Sequence, residues 1–264
     1  RSVRDLIARV AGRAHEQIAR PFGRPREKRG RPMHAVAAGI AIGLQVEARR
    51  IAPEDRVGEG IRVGVAVRRP VDAHGRLSPA VAIRAAEMLA PIGITFFEEP
   101  CLPQSPRALA RLARKAAVPI AVGERHYTRW DFDDLLASRT ISVLQPDIIQ
   151  SGGLGEARKI AALAEMHFVS VAPHNPWSWV NTMASLHLDA VLPNFLMQEV
   201  ISSPEPWKDE IVVNRPVMDD KGFFAVPTAP GLGISLDLEE AKRFPPVTGR
   251  PPALWHDDGS VADW

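Results

Sequence analysis

One cysteine, Cys101, stands in 264 residues, and its isolation excludes two things. A lone thiol cannot close an internal disulfide, and it cannot supply a cysteine-based zinc site. That scarcity suits a reducing compartment, so a cytoplasmic protein is expected. Long apolar runs are also missing: none approaches the ~20 residues needed to cross a bilayer, and no membrane partner is expected. The opening residues RSVRDLIARV lack the apolar stretch and small-residue cleavage site of a signal peptide. An excess of one charge is absent as well, the formal net being +2, although that balance hides an asymmetry.

Residues 1–70 carry 16 Lys and Arg against 7 Asp and Glu, a net of +9, and the remaining 194 carry 17 against 24, a net of −7. The stretch RPFGRPREKRGRP (residues 20–32) has the clustered Arg that neutralises phosphates. A single aromatic, Phe22, stands among them, and no reading motif accompanies them. The Pro and Gly content favours a solvated segment, and no nucleic-acid partner is expected. With 45% hydrophobic and 24% charged residues the whole has a globular composition, and one domain of this size can bury a large core.

From residue 60 onward, short β-branched or apolar runs alternate with amphipathic stretches. IRVGVAV (61–67), ITFFEEP (94–100), PIAVGE (119–124), ISVLQPD (141–147), FVSVAPH (168–174) and NFLMQE (194–199) read as buried parallel strands. Between them SPAVAIRAAEMLA and SPRALARLARKAA open with Ser78 and Ser105 as N-caps and proline at the first helical position. RWDFDDLLAS, GLGEARKIAALAEM and NTMASLHLDAVL supply further helices. This is a βα repeat.

The residue closing each strand is acidic or a histidine: Asp72, Glu98, Glu124, Asp147, His174 and Glu199, separated by 26, 26, 23, 27 and 25 residues. An open doubly wound sheet gathers only a few strand ends at its switch point, whereas a closed barrel gathers all of them at one mouth. The expected fold is therefore an α/β, TIM-type (β/α) barrel. In FFEEP (96–100) side chains alternate, so one of Glu98 and Glu99 faces the barrel mouth and the other the helices. Asp72, Glu98 and Glu124, on three consecutive strand ends, repel one another unless a divalent cation holds them. Oxygen-only ligation favours Mg²⁺ over zinc. His74, two residues past Asp72 on an extended chain, faces the same pocket. His126, His167, His187 and His256 are read as structural, Cys101 as a small packed residue, and SGGLGE (151–156) as a βα turn.

DAHGR (72–76), FFEEP, GERHYTRWDF (123–132), LQPDIIQSGGL (144–154), APHNP (172–176), LPNFLMQE (192–199) and APGLGI (229–234) together resemble the enolase superfamily, in its mandelate racemase subgroup and the acid-sugar dehydratases within it. The resemblance covers residues 71 to about 245. It implies metal ligands at Asp72, Glu98 and Glu124, a base dyad of His174 and Asp147, a leaving-group acid at His74, and a carboxylate near the intermediate at Glu199. The activity implied is Mg²⁺-dependent dehydration of a sugar acid to a 2-keto-3-deoxy acid. The alternatives are another epimerase or racemase of the superfamily, or a catalytically impaired barrel. No lysine lies in residues 33–50, so a Lys base is unavailable, which disfavours chemistry needing bases on two faces.

Family members carry a separate α+β capping domain, and residues 1–70 do not resemble one. The expected organisation is a basic segment over 1–60 with the capping domain missing or degenerate, a barrel over 61–245, and a tail over 246–264. An open mouth and weak activity would follow. Pro70, two residues before Asp72, is unusual in an interior strand. Arg125 and Arg129 could contact an acid sugar or pair with the surrounding carboxylates. The expected partner is a small-molecule sugar acid, and a homo-oligomer is expected.

Overall fold

Parallel strands covered by helices on one side and barrel packing on the other need apolar residues at every position, and the short runs noted above meet that demand. The computed structural model describes residues 62–64, 70–200 and 207–245; the 1–60 segment, the 246–264 tail and His256 lie outside the described residues. Five parallel strands, β2 (Val71–Asp72), β3 (Phe97–Glu98), β4 (Ile120–Val122), β5 (Val143–Leu144) and β6 (Ser170–Val171), lie in one sheet in chain order. The register sets Asp72 opposite Glu98, Glu98 opposite Ala121, Val122 opposite Leu144 and Leu144 opposite Val171. NFLMQE continues the sheet: Phe195 bridges Val171 in parallel, and the Leu196 N–H donates to the Val171 carbonyl at 2.8 Å.

Helices α1 (Pro79–Leu89), α2 (Pro106–Lys115), α3 (Arg129–Ala137), α4 (Leu154–Met166) and α5 (Trp179–Asp189) fill the connections. Their starts follow local chemistry. The Ser105 hydroxyl accepts the Ala108 N–H at 3.3 Å. Ser78 holds the N-cap position without a side-chain bond. Thr128 and Asp131 form a reciprocal capping box ahead of α3, which satisfies two amide donors that a helix start leaves open. Gly153, at φ 93°, ends the SGGLGE turn as the N-cap of α4.

Alternation along the strands sorts the core into two layers. Val71, Phe97, Ile120, Val122, Leu144 and Val171 pack outward against Leu109, Leu112, Phe132, Leu135, Leu136 and Ile160 of the helices. Each such fully buried side chain contributes about 1.5–3 kcal/mol of transfer free energy. Phe96, Ala121, Val143, Ala172 and Met197 form a separate inner cluster, the layered filling of a barrel interior. Cys101 is buried in the outer layer, and burial pushes its thiol up to about 11.

Two expectations are corrected. IRVGVAV is not a parallel strand beside Asp72: β1 (Arg62–Gly64) pairs antiparallel with β7 (Phe223–Ala225) in a separate two-stranded sheet. A short β-branched run reads the same in either setting, so the pattern could not identify its partner. Pro70 does not interrupt β2 but precedes it, with the first ladder bond running from the Val71 N–H to the Phe96 carbonyl at 3.1 Å. A 3₁₀ turn (Ala90–Ile92) after α1 and two short helices, α6 (Trp207–Glu210) and α7 (Leu238–Ala241), complete the described elements.

Candidate active site

Four of the five inner-layer residues are followed two positions later by a polar one, Phe96 by Glu98, Val143 by Gln145, Ala172 by His174 and Met197 by Glu199, while Ala121 is followed by Gly123 and then Glu124. The pleat thus carries the barrel's inward face past its apolar filling to the strand ends. There a cavity of about 800 Å³ is lined by Asp72, His74, Glu98, Glu124, His174 and Glu199 among others. Glu98 reaches this cavity. Glu99 lies 1% exposed with φ 38°, its Oε2 3.6 Å from Arg125 Nε. Burial pushes the Glu99 carboxyl up to about 7.

His74 arrives by a different path from the one expected. The chain is not extended after Asp72: His74 has φ 50° and Gly75 φ 72°, so a left-handed turn carries the imidazole over the cavity. The turn is closed by the Arg76 N–H donating to the Ala73 carbonyl at 3.1 Å, and the His74 N–H donates to Asp72 Oδ1 at 2.6 Å. The His74 ring then sets Nε2 at 3.5 Å from Glu124 Oε1.

His174 faces the same carboxylate from its other oxygen, Nε2 to Glu124 Oε2 at 3.2 Å. Its Nδ1 lies 2.8 Å from Asp147 Oδ2. Asp147 is completely buried and saturated: Trp177 Nε1 donates to Oδ2 at 2.5 Å, and the Ile149 and Gln150 N–H groups donate to Oδ1 at 2.7 and 3.2 Å. Burial opposes ionisation of Asp147, yet the bonds from His174 and Trp177 prevail and lower its pKa. Burial likewise opposes protonation of His174, but the Asp147 bond and the fields of Glu199 and Glu124 prevail and raise it. A carboxylate fixed on Nδ1 leaves Nε2 as the nitrogen that can exchange a proton with a bound molecule.

The acids on this face oppose one another. Burial raises the Asp72 carboxyl, with Glu124 adding to the shift. Burial, then Glu199, Asp72 and Glu124, push Glu98 well above the usual range, against a bond from Gln145. Glu199 is raised by burial too, and its Oε2 accepts the Asn175 N–H at 2.8 Å. Buried, mutually repelling oxygen donors of this kind suit a hard divalent cation. Among the described residues no three His, Cys, Asp or Glu side chains are drawn together into an ion-holding group. Instead Asp72 is bonded to its own turn, and Glu124 is shared between the two histidines and Arg125, whose Nε lies at 3.3 Å.

Several participants carried no assignment in the sequence. Trp177 and Asn175 follow His174 directly, yet nothing in the spacing says that an indole will reach back 30 residues to Asp147 or that an amide will hold Glu199. Arg125 and Arg129, which residue types alone left open, both pair with carboxylates: Arg125 with Glu124 and Glu99, and Arg129 with Glu156 at 2.6 Å. His126 is buried and lines the cavity, its Nδ1 without a hydrogen-bond partner. His187 Nε2 lies 3.3 Å from the Leu232 carbonyl, and His167 caps the C-terminus of α4.

Residues 39–241 match the Enolase C-terminal domain-like family. The chain belongs to it. Among curated relatives it is 38% identical over 206 residues to a D-galactonate dehydratase of Verminephrobacter eiseniae (strain EF01-2), covering 74% of this chain and 53% of the relative. A D-galactonate dehydratase of Ralstonia pickettii (strain 12J) is 37% identical over 203 residues, with the same coverage. The chain therefore spans about half the length of the curated relatives it matches. Among solved structures, a mandelate racemase/muconate lactonizing enzyme from Jannaschia sp. CCS1 is 36% identical with a TM-score of 0.63, covering 67% of this chain and 45% of that one. An enolase from Agrobacterium radiobacter, solved with sodium and L-malate bound, is 28% identical with a TM-score of 0.66, covering 72% and 52%. The fold is the TIM-barrel-like C-terminal domain of the enolase superfamily. Among the described residues no helix is long and apolar enough to cross a membrane.

Proposed function

We propose that this chain carries the barrel part of a sugar-acid dehydratase of the galactonate type, which converts an aldonate to a 2-keto-3-deoxy acid. The observation that carries the reading is the placement of two histidines, one oriented by a buried aspartate, on the two oxygens of a single cavity carboxylate. Asp72, Glu98 and Glu124 would hold Mg²⁺, which when bound would stabilise negative charge developing on the substrate carboxylate.

His174 Nε2 takes the proton α to the substrate carboxylate, and the electron pair moves into the carboxylate to give an enediolate. Asp147 holds the tautomer that leaves Nε2 free and stabilises the imidazolium that results. His74 then gives a proton to the β-hydroxyl as its C–O bond breaks and water departs. The remaining enol tautomerises to the keto acid. Glu199, fixed by the Asn175 N–H, lies beside the same carbon skeleton.

A panel of aldonic acids incubated with the protein and Mg²⁺ in D₂O tests this. His174→Asn is expected to abolish exchange of the α-proton as well as 2-keto-3-deoxy product. His74→Asn is expected to keep exchange and lose product, each loss amounting to about 10²-fold or more. Equal loss of exchange in both variants would refute the division of roles. An epimerase would instead return the diastereomeric acid without loss of water.

A further inference from the structure

The turn presenting His74 sits in a region of backbone space that a residue with a side chain rarely adopts. His74 at φ 50° and Gly75 at φ 72° persist there only if their surroundings hold them. Local or near restraints are His74 N–H to Asp72 Oδ1 at 2.6 Å, Arg76 N–H to the Ala73 carbonyl at 3.1 Å, and Gly75 N–H to the Glu99 carbonyl at 2.7 Å. Another comes from 51 residues away, where Arg125 Nη2 donates to the His74 carbonyl at 2.8 Å.

That guanidinium is only 14% exposed, and its Nε lies 3.3 Å from Glu124 Oε1 and 3.6 Å from Glu99 Oε2. It also lies against Gly75 so closely that a Cβ there would stand 2.7 Å from Nη1. One planar group thus joins the turn after β2 to both acids flanking it on the ends of β3 and β4. A planar fork with several fixed donors can span three such partners in set directions, whereas an ammonium gathers its donors at one compact point.

We propose that Arg125 is a positioning residue, whose guanidinium pins the His74–Gly75 turn and so sets the His74 imidazole over the cavity opposite His174. Its effect on chemistry rests on the dehydratase reading of His74; its hold on the turn does not. Gly75 is the matching half of the device, since its missing side chain leaves the room in which the guanidinium lies.

Two measurements on the full chain test this. The first is amide hydrogen exchange without substrate. In Arg125→Met the amides of His74 and Gly75 are expected to exchange about tenfold faster while those of Val143 and Leu144 keep their protection, the pattern of a local opening. Arg125→Lys, which keeps a charge between Glu99 and Glu124, carries the same comparison should the methionine variant fail to fold. Gly75→Ala is expected to accelerate the same two amides, since its Cβ would crowd Nη1 and also strain the turn at φ 72°. Unchanged protection at His74 and Gly75 in the Arg125 variants would overturn the proposal.

The second measurement is the ratio of α-proton exchange to dehydration on an aldonate with Mg²⁺. Arg125→Lys is expected to raise that ratio about tenfold, whereas a general loss of structure lowers both rates together. An unchanged ratio overturns the positioning of His74. A wild-type chain that neither exchanges nor dehydrates any aldonate refutes the dehydratase reading, and the amide arm then decides the clamp alone.

Discussion

At the end of α5, Asp189 is 4% exposed and neither carboxylate oxygen has a hydrogen-bond partner. Burial alone pushes its pKa well above the usual value. The folded chain therefore keeps a proton that the unfolded chain gives up near pH ~3.9, and stability falls as pH rises from that value toward the raised folded pKa. Asp189→Asn keeps the shape and removes the ionisation. It is expected to raise Tm at pH 8 by about 2–4 °C for each kcal/mol recovered, and to flatten Tm against pH above pH 5. A variant no more stable than wild type at pH 8 would refute this. Residues with this kind of role leave little trace in sequence: an aspartate three-quarters of the way along an amphipathic segment looks solvated until its neighbours are known. His174 and Asp147 were legible because strand-end spacing brings them together, whereas Trp177, Asn175 and Arg125 act through contacts that no period encodes. His74 was legible only in part, since a left-handed turn, rather than the extended chain inferred from its spacing, delivers it to the cavity.

Just past the ends of β4 and β5, the chain at Gly123 lies close against Gln145. A Cβ there would stand 2.5 Å from the backbone N and C of Gln145, and neither backbone atom can move aside without opening the ladder, in which Gln145 N–H donates to the Val122 carbonyl at 3.0 Å. Gly123→Ala is expected to cost about 1–3 kcal/mol, as overpacking does, and to lower the denaturant midpoint without changing its slope. A midpoint equal to wild type would show that the contact yields. The helices were legible from proline and serine at their starts and from 3.6-residue periodicity, and α1 to α4 fall where those signals place them. The strands were legible as apolar runs. Their partners were not: β1, three residues long, pairs antiparallel with β7, and so short a segment carries no sign of its partner's direction. The acids at the strand ends were legible from their even spacing, and Glu98 and Glu199 also stand two residues past the apolar filling of their strands, as the neutral Gln145 does on its own.

For the molecule as a whole, three acids with raised pKa values, the buried Glu98 and the half-buried Asp72 and Glu199, destabilise the fold wherever they ionise together. A cation bound only by the folded state offsets this by RT ln(1 + [L]/Kd), about 2.7 kcal/mol at a hundredfold excess over Kd. MgCl₂ is expected to raise Tm beyond the effect of KCl at equal ionic strength. Glu98→Gln is expected to raise the metal-free Tm and to blunt the response to MgCl₂. An equal response in wild type and Glu98→Gln would exclude Glu98 from the site. Barrel architecture was legible from the regular pace of strand ends, while the expectation for residues 1–60 lies outside the described residues. One consequence of the topology concerns how such a molecule is made. Within the five-stranded sheet strand order equals chain order, and paired positions lie 22 to 27 residues apart, so each new strand of that sheet closes a loop of nearly the same length and entropy. Assembly can then proceed in the direction of synthesis, each unit docking on the one before it. At every stage the newest strand is an unsaturated edge, and until its successor arrives it can be captured by the edge of another growing chain. Chain-to-chain capture thus competes with completion once per repeat, which makes protein concentration during refolding, rather than final stability, the quantity that governs yield.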